Sequence, residues 1–137
     1  MASWDGTTPM GLLADRAAIT FGGREALVFN EQRFTFEELA ADVNEVAKSL
    51  IALGVEPGEK CAVWLNNCPQ WIHLLFALAK VGAVLVPLNT RFRTDDIAYV
   101  LGHCNATTLF THDVSGPIDY LAMVRELTTA TADAVTS

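Results

Sequence analysis

The side chains best suited to holding an anion are Arg91 and Arg93, two guanidinium groups one residue apart just after an apolar run. Each offers a planar fork of N–H donors that matches a phosphate or a carboxylate. The plainer use of the pair is an ion pair with Asp95, Asp96 or another nearby acid, and two arginines alone favour that use. Cys68 stands just ahead of a helical run, where a thiolate nucleophile is favoured. No His follows it at a useful spacing, so an inert cysteine is the better reading. His112-Asp113 closes another apolar run, and there a bystander loop outweighs an acid–base pair. His103-Cys104 hints at a metal, but no second ligand pair supports one. His73 lies in an apolar helix and reads as a hydrogen-bonded structural histidine. Trp71 and Phe76 are helically spaced aromatics, better explained by packing than by stacking on a ligand. Asp95 and Asp96 suit the first turn of a helix, not a catalytic dyad.

Phosphate chemistry requires more than charge. A phosphate cradle needs consecutive backbone amides unobstructed by side chains, hence glycine. The loops following the apolar runs are Leu65–Pro69, Pro87–Arg93 and Thr111–Gly116. None has the GxGxxG or GxxxxGK[ST] pattern. These residues do not make a self-contained nucleotide-binding domain.

The elements that must position these loops follow from periodicity. Thr8-Pro9 predicts a helix start, with Thr8 as cap, and Gly22-Gly23 its end. Ala26–Phe29, a polar turn over Asn30-Glu31-Gln32, and Arg33-Phe34 predict a small hairpin. Thr35-Phe36-Glu37-Glu38 is a capping box, followed by an apolar stripe through Leu39, Val43, Ala47 and Leu50 and by Gly54 as the terminating residue. Pro57-Gly58 predicts a type II turn. Lys60–Leu65, Ala83–Val86 and Thr107–Thr111 read as strands buried on both faces. Between them lie a buried helix over Gln70–Val81 and a helix from Thr94, its cap, to about Leu101. A last helix spans Pro117 to about Leu127, and a disordered tail is expected over 128–137. This alternation predicts an α/β fold: a parallel sheet with helices on both faces, plus a small N-terminal hairpin.

Composition bounds the rest. The chain has 137 residues, 51% hydrophobic and 18% charged, with formal net charge −7. That is one domain's length, apolar enough for a core without staples. The acidic balance argues against nucleic acid as the main partner. Three irregularly spaced cysteines, Cys61, Cys68 and Cys104, are no disulfide framework and fit a reducing, cytoplasmic setting. Trp71–Leu88 is interrupted by Lys80, Gly82 and Pro87, so no transmembrane segment is expected.

Several of these stretches also match a known pattern. Phe34-Thr35-Phe36-Glu37-Glu38-Leu39 resembles the first core motif of the adenylate-forming (AMP-binding) superfamily, and Leu78–Asn89 resembles its second. Leu53-Gly54-Val55-Glu56-Pro57-Gly58-Glu59-Lys60 is similar to the family's "LGV-x-PGD-x-V", with Glu59 for Asp. Asn67-Cys68-Pro69-Gln70-Trp71 is similar to "NSPEW", with Cys and Gln replacing Ser and Glu. Asn89-Thr90-Arg91-Phe92 resembles "NPRL" of the CoA ligases. The resemblance covers about Thr8 to Leu127 and fits the acyl-CoA synthetase or fatty-acid–CoA ligase branch best.

The resemblance implies that residues 1–127 correspond to the N-terminal part of an acyl-CoA ligase domain. In full-length members, ATP with Mg²⁺ activates a carboxylate as an acyl-adenylate, and the CoA thiol then displaces AMP. The family's Ser/Thr/Gly-rich ATP loop, ribose-binding Asp and catalytic Lys have no counterpart in these residues. The resemblance therefore carries over no catalytic residue and no metal ligand. It carries one cofactor contact, Arg91 toward a CoA phosphate. It implies a split or truncated ligase that is inactive alone, or an interaction module that completes or regulates the remaining part of a ligase in trans.

Overall fold

The computed structural model describes residues 6–135, with side chains through residue 129. Two compact units share the chain, their segments alternating along the sequence. The first comprises the residues through Glu59 together with Asn67–Leu85, and the second comprises Lys60–Asn66 and the residues from Val86 onward.

In the first unit a single 3-10 turn, Met10–Leu12, leads into α1 (Leu13–Phe21). Thr8 does not cap it. Pro9 precedes the turn without a side-chain cap, and the Thr8 hydroxyl instead accepts from Arg16 Nη1. Strands β1 (Glu25–Phe29) and β2 (Gln32–Thr35) form the expected antiparallel hairpin, pairing Leu27 with Phe34 and Phe29 with Gln32. The turn between them is Asn30-Glu31, with Asn30 at φ 54°. α2 (Phe36–Ala52) opens on the capping box: Glu38 N–H donates to Thr35 Oγ1 at 3.2 Å, and Thr35 N–H donates to Glu38 Oε2 at 2.8 Å. Leu39, Val43, Ala47 and Leu50 face inward, three or four residues apart.

The Glu56–Glu59 turn closes through Glu59 N–H to Glu56 C=O at 3.1 Å, with Gly58 at φ 85° as a type II turn requires. α3 (Pro69–Val81) buries His73, Leu74, Ala77 and Leu78 and ends at Gly82 in the left-handed region. Gly11 explains how tightly the first turn packs on α3. A Cβ there would lie 2.7 Å from Lys80 Cα and 2.8 Å from the Ala79 carbonyl oxygen, so only glycine fits without a shift. Lys80 Nζ joins three helices, donating to Asp15 Oδ2 on α1 at 2.5 Å and to Asn44 Oδ1 on α2.

The sheet is three-stranded, in the order β4-β3-β5. β3 (Lys60–Trp64) and β5 (Thr108–Thr111) are parallel, with Cys61 opposite Thr108 and Trp64 opposite Thr111. β4 (Val84–Pro87) runs the same way, since Val84 and Leu88 donate in turn to Glu59 and Val63. β3 is the central strand, and Cys61, Ala62, Val63 and Trp64 are all inaccessible to solvent. The outer two strands depart from the expectation of full burial: β4 leaves Val84 exposed and β5 is half-buried throughout. Their sequences suit a strand covered on both faces, but each is an edge of this sheet.

In the second unit, α4 (Thr94–Cys104) and α5 (Tyr120–Val135) enclose a core of Ala62, Trp64, Leu88, Ile97 and Tyr120. Three details correct the sequence expectation. The cap of α4 is Arg93, one residue before Thr94. Pro117 starts no helix; it sits in the turn of a short hairpin, β6 (Val114–Ser115) and β7 (Ile118–Asp119). α5 runs from Tyr120 past Leu127 to Val135, so the tail expected from Thr128 is helical over those residues; its last two residues lie outside the described ones. Among the described residues no helix is long and apolar enough to cross a membrane.

Candidate functional site

A parallel sheet presents ligands with the carboxyl ends of its strands. In the second unit those ends carry Asn66, Asn89, Arg91, Arg93, His112, Asp113 and Ser115. The parallel register of β3 and β5 brings Asn66 beside His112. Asn66 N–H donates to His112 Nε2 at 3.2 Å, and Asn66 Nδ2 donates to Ser115 Oγ at 2.7 Å. An accepting Nε2 places the imidazole proton on Nδ1. The ring lies 6.1 Å from that of Tyr120, which is itself edge-on to Trp64 at 4.7 Å. His112 thus ties the strand ends together. Asp113 does not act with it: its Oδ1 accepts Val114 N–H at 2.7 Å.

The loop after β4 is built on Asn89. Its carbonyl accepts Trp64 Nε1–H at 3.1 Å and Phe92 N–H at 3.0 Å, and its Oδ1 accepts Arg91 N–H at 2.9 Å. The two arginines separate in role. Arg93 Nη1 donates to the carbonyls of Phe92 at 2.9 Å and Arg91 at 3.1 Å, which spends that guanidinium on its own loop. Arg93 N–H donates to Asp96 Oδ2 at 3.0 Å, making Asp96 the acid that anchors the start of α4. Asp95 lies exposed in the same first turn. The Arg91 side chain stands exposed at the rim, and neither arginine pairs with Asp95 or Asp96 through its guanidinium.

The other candidates do not converge on this edge. His103 stacks on Tyr99 with ring centroids 5.7 Å apart, while Cys104 Sγ turns to the Leu101 carbonyl at 3.7 Å. Among the described residues no three His, Cys, Asp or Glu side chains form a metal-holding group. Cys61 is core.

In the first unit Cys68 precedes α3 in an extended conformation, and its half-buried thiol makes no capping bond. It lines a cavity of about 210 Å³ with Leu27, Phe29, Asn67, Pro69, Trp71 and Ile72. Trp71 and Phe76 are both half-buried, and Trp71 serves as cavity wall. His73 is buried, with Nε2 3.6 Å from Asp42 Oδ2 and no hydrogen-bond partner. Burial lowers its pKa from the usual value, and the Asp42 carboxylate only partly offsets this.

Asn66, Asn89 and Ser115, which frame the strand ends, are missed by a search for charged and nucleophilic residues. The signal that could have found them is position, since each lies at or just past the end of an apolar run. The amide donors of Asn66, Arg91, Arg93 and Val114 are each directed at protein acceptors.

Comparison with known proteins gives one consistent answer. A family model described as "AMP-binding enzyme" matches residues 14–136. The crotonobetaine/carnitine–CoA ligase of Proteus mirabilis is 35% identical over 109 residues, covering 76% of this chain and 21% of that protein. The inhibitor-bound N-terminal domain of FACL13 from Mycobacterium tuberculosis superposes with TM-score 0.74 at 26% identity, over 77% of this chain and 27% of that one. An anthranilate CoA ligase, AuaEII, in complex with anthranoyl-AMP reaches TM-score 0.79 over 89% of this chain and 23% of that one, and at 23% identity it speaks for the fold alone. The chain thus spans about a fifth of the length of the curated relatives it matches.

Proposed function

This chain belongs to the AMP-binding enzyme family, as an N-terminal portion of it, and on that premise we propose that it serves an acyl-CoA ligase. The reaction would be ATP-dependent activation of a carboxylate to an acyl-adenylate, followed by thioester formation with CoA. Its place would be fatty-acid or other lipid metabolism in the cytoplasm. The observation that carries this reading is the family match across residues 14–136. The names of the relatives, CoA ligases in several cases, support the branch.

On the same reading, these residues supply scaffold rather than catalysis. Adenylation requires fixed donors and Mg²⁺ aimed at transferring phosphates. Four of the strand-end amides, those of Asn66, Arg91, Arg93 and Val114, are instead taken up by the protein's own acceptors, which supports an isolated chain without adenylation activity. The exposed Arg91 guanidinium is the group we assign to a CoA phosphate.

The segment-exchange experiment tests the reading. Residues 14–129 of this chain replace the matching segment of the Proteus mirabilis ligase. The chimera is expected to keep ATP- and CoA-dependent thioester formation, and Arg91→Ala within it to raise KM for CoA. A chimera with a cooperative melting transition but no acyl-adenylate formation would contradict it.

A second reading, an interaction module acting in trans on a ligase, is favoured by one observation. Both outer strands of the sheet have apolar sequences yet are left half-exposed. Mixing the chain with a ligase lacking this segment would then restore activity, and a monodisperse monomer that ignores such a ligase would count against it.

A further inference from the structure

The hairpin β1–β2 lies with one side on the first turns of α3. Leu27 and Phe34 are cross-strand partners, so they share a face, and Phe29, two residues on from Leu27, shares it too. Phe34 meets the His73 ring edge-on, with centroids 5.8 Å apart and planes at 84°. Leu27 and Phe29 do not close on the helix. They form one wall of the 210 Å³ cavity, and Trp71 and Ile72, the residues just before His73, line it as well. β1 and β2 also pack on α2, and Phe36 N–H donates to the Arg24 carbonyl at 3.0 Å; on the α3 side the hairpin is held at Phe34 and underpacked beside it.

The holding residue is an imidazole in an unusual position. His73 is 9% exposed, and its Nε2 is shielded from solvent with no hydrogen-bond partner. The charge facing it comes from α2: Asp42 Oδ2, at 3.6 Å, is too far for a hydrogen bond and belongs to a side chain 45% exposed. β2 faces it with Phe34, while the neighbouring Arg33 is paired with Glu25 across the hairpin. The cation on α3 itself, Lys80, is committed to Asp15. A neutral ring fits this site better than an imidazolium, because Asp42 favours the charge but stands beyond hydrogen-bond distance, and Nε2 is shut off from water.

We propose that His73 is a proton-operated latch for the hairpin: protonation releases Phe34, lifts β1–β2 from α3 and widens the cavity between them. The sign follows from linkage. Burial holds the closed-state His73 pKa below its usual 6.5, so the opened form binds the proton more readily. The closed form is fully favoured above about pH 6.5 and loses ground as pH falls through that value toward the lowered one. The latch rests on contacts within the first unit and stands apart from the ligase reading.

Amide hydrogen exchange on the full chain tests it, read from about pH 7.5 to about pH 5.5 after correction for intrinsic exchange. The amides of Leu27, Phe29, Gln32 and Phe34, which belong to the hydrogen-bonded pairs of the hairpin, are expected to lose protection by about threefold or more on acidification, while Ala62 and Val63 in β3 hold theirs. His73→Phe keeps an aromatic edge against Phe34 and cannot take the proton, so its hairpin protection is expected to be independent of pH. Asp42→Asn keeps His73 and removes the carboxylate that favours its charged form in the closed state, so hairpin loss on acidification becomes steeper. Protection that does not change with pH in the unsubstituted chain overturns the proposal. So does equal loss in β3, which would mean global unfolding, or an Asp42→Asn response identical to that of the unsubstituted chain.

Discussion

Gly11 and Lys80 show how much of the first unit depends on single atoms. The 3-10 turn approaches α3 so closely that the missing Cβ of Gly11 is what permits the contact. Gly11→Ala is therefore expected to lower stability by about 1–3 kcal/mol through overpacking, read as an earlier urea midpoint at unchanged m. The Lys80 ammonium, 20% exposed, bridges Asp15 and Asn44 from the residue whose Cα meets Gly11. Lys80→Met would keep the stem's packing but leave both acceptors without their cation. The expected cost is about 1–3 kcal/mol by the same measurement, held down because the Asp15 side chain is one-third exposed and can rehydrate. Neither role is readable from the sequence. Gly11 shows there only as a glycine within a helical run, and Lys80 only as a polar residue on an apolar helix.

Elements that carry their own local signals are legible, and those set by their neighbours are not. α2 is foreseen from cap to terminus because Thr35, Glu38 and Gly54 act within a few residues of themselves. Thr35→Ala is expected to cost about 1 kcal/mol, measured by thermal melting, since it removes the acceptor for Glu38 N–H. The Pro57-Gly58 turn and the Asn30 turn are legible for the same reason. Thr8 and Thr94 misled because a threonine beside an acid or proline looks like a cap, whereas their hydroxyls bond Arg16 and Glu126 instead. The β6–β7 hairpin, only two residues a strand, is too short to leave a periodic pattern. The exposure of β4 and β5 is not legible, because an apolar run signals a strand without saying which of its faces its neighbours cover.

At the scale of the whole molecule, the five sequence motifs and the fold agree on ancestry, while the chemistry-bearing residues stay dispersed. Arg93, His112 and Asp96 are each engaged in holding loops in place, and Arg91 alone of the proposed site extends from the strand-end rim. What the sequence made legible is the family; what it could not show is which polar groups the fold would turn inward, because those bonds join residues such as Asn66 and His112 that lie far apart along the chain. In the proposed role these residues scaffold a carboxylate-activating enzyme without themselves gripping ATP. Carboxylate-dependent exchange of pyrophosphate into ATP, measured on the pure chain with Mg²⁺ and a panel of aliphatic and aromatic acids, tests that directly. No exchange above the carboxylate-free background is expected, and sustained, carboxylate-dependent exchange by the chain alone would overturn the scaffold role.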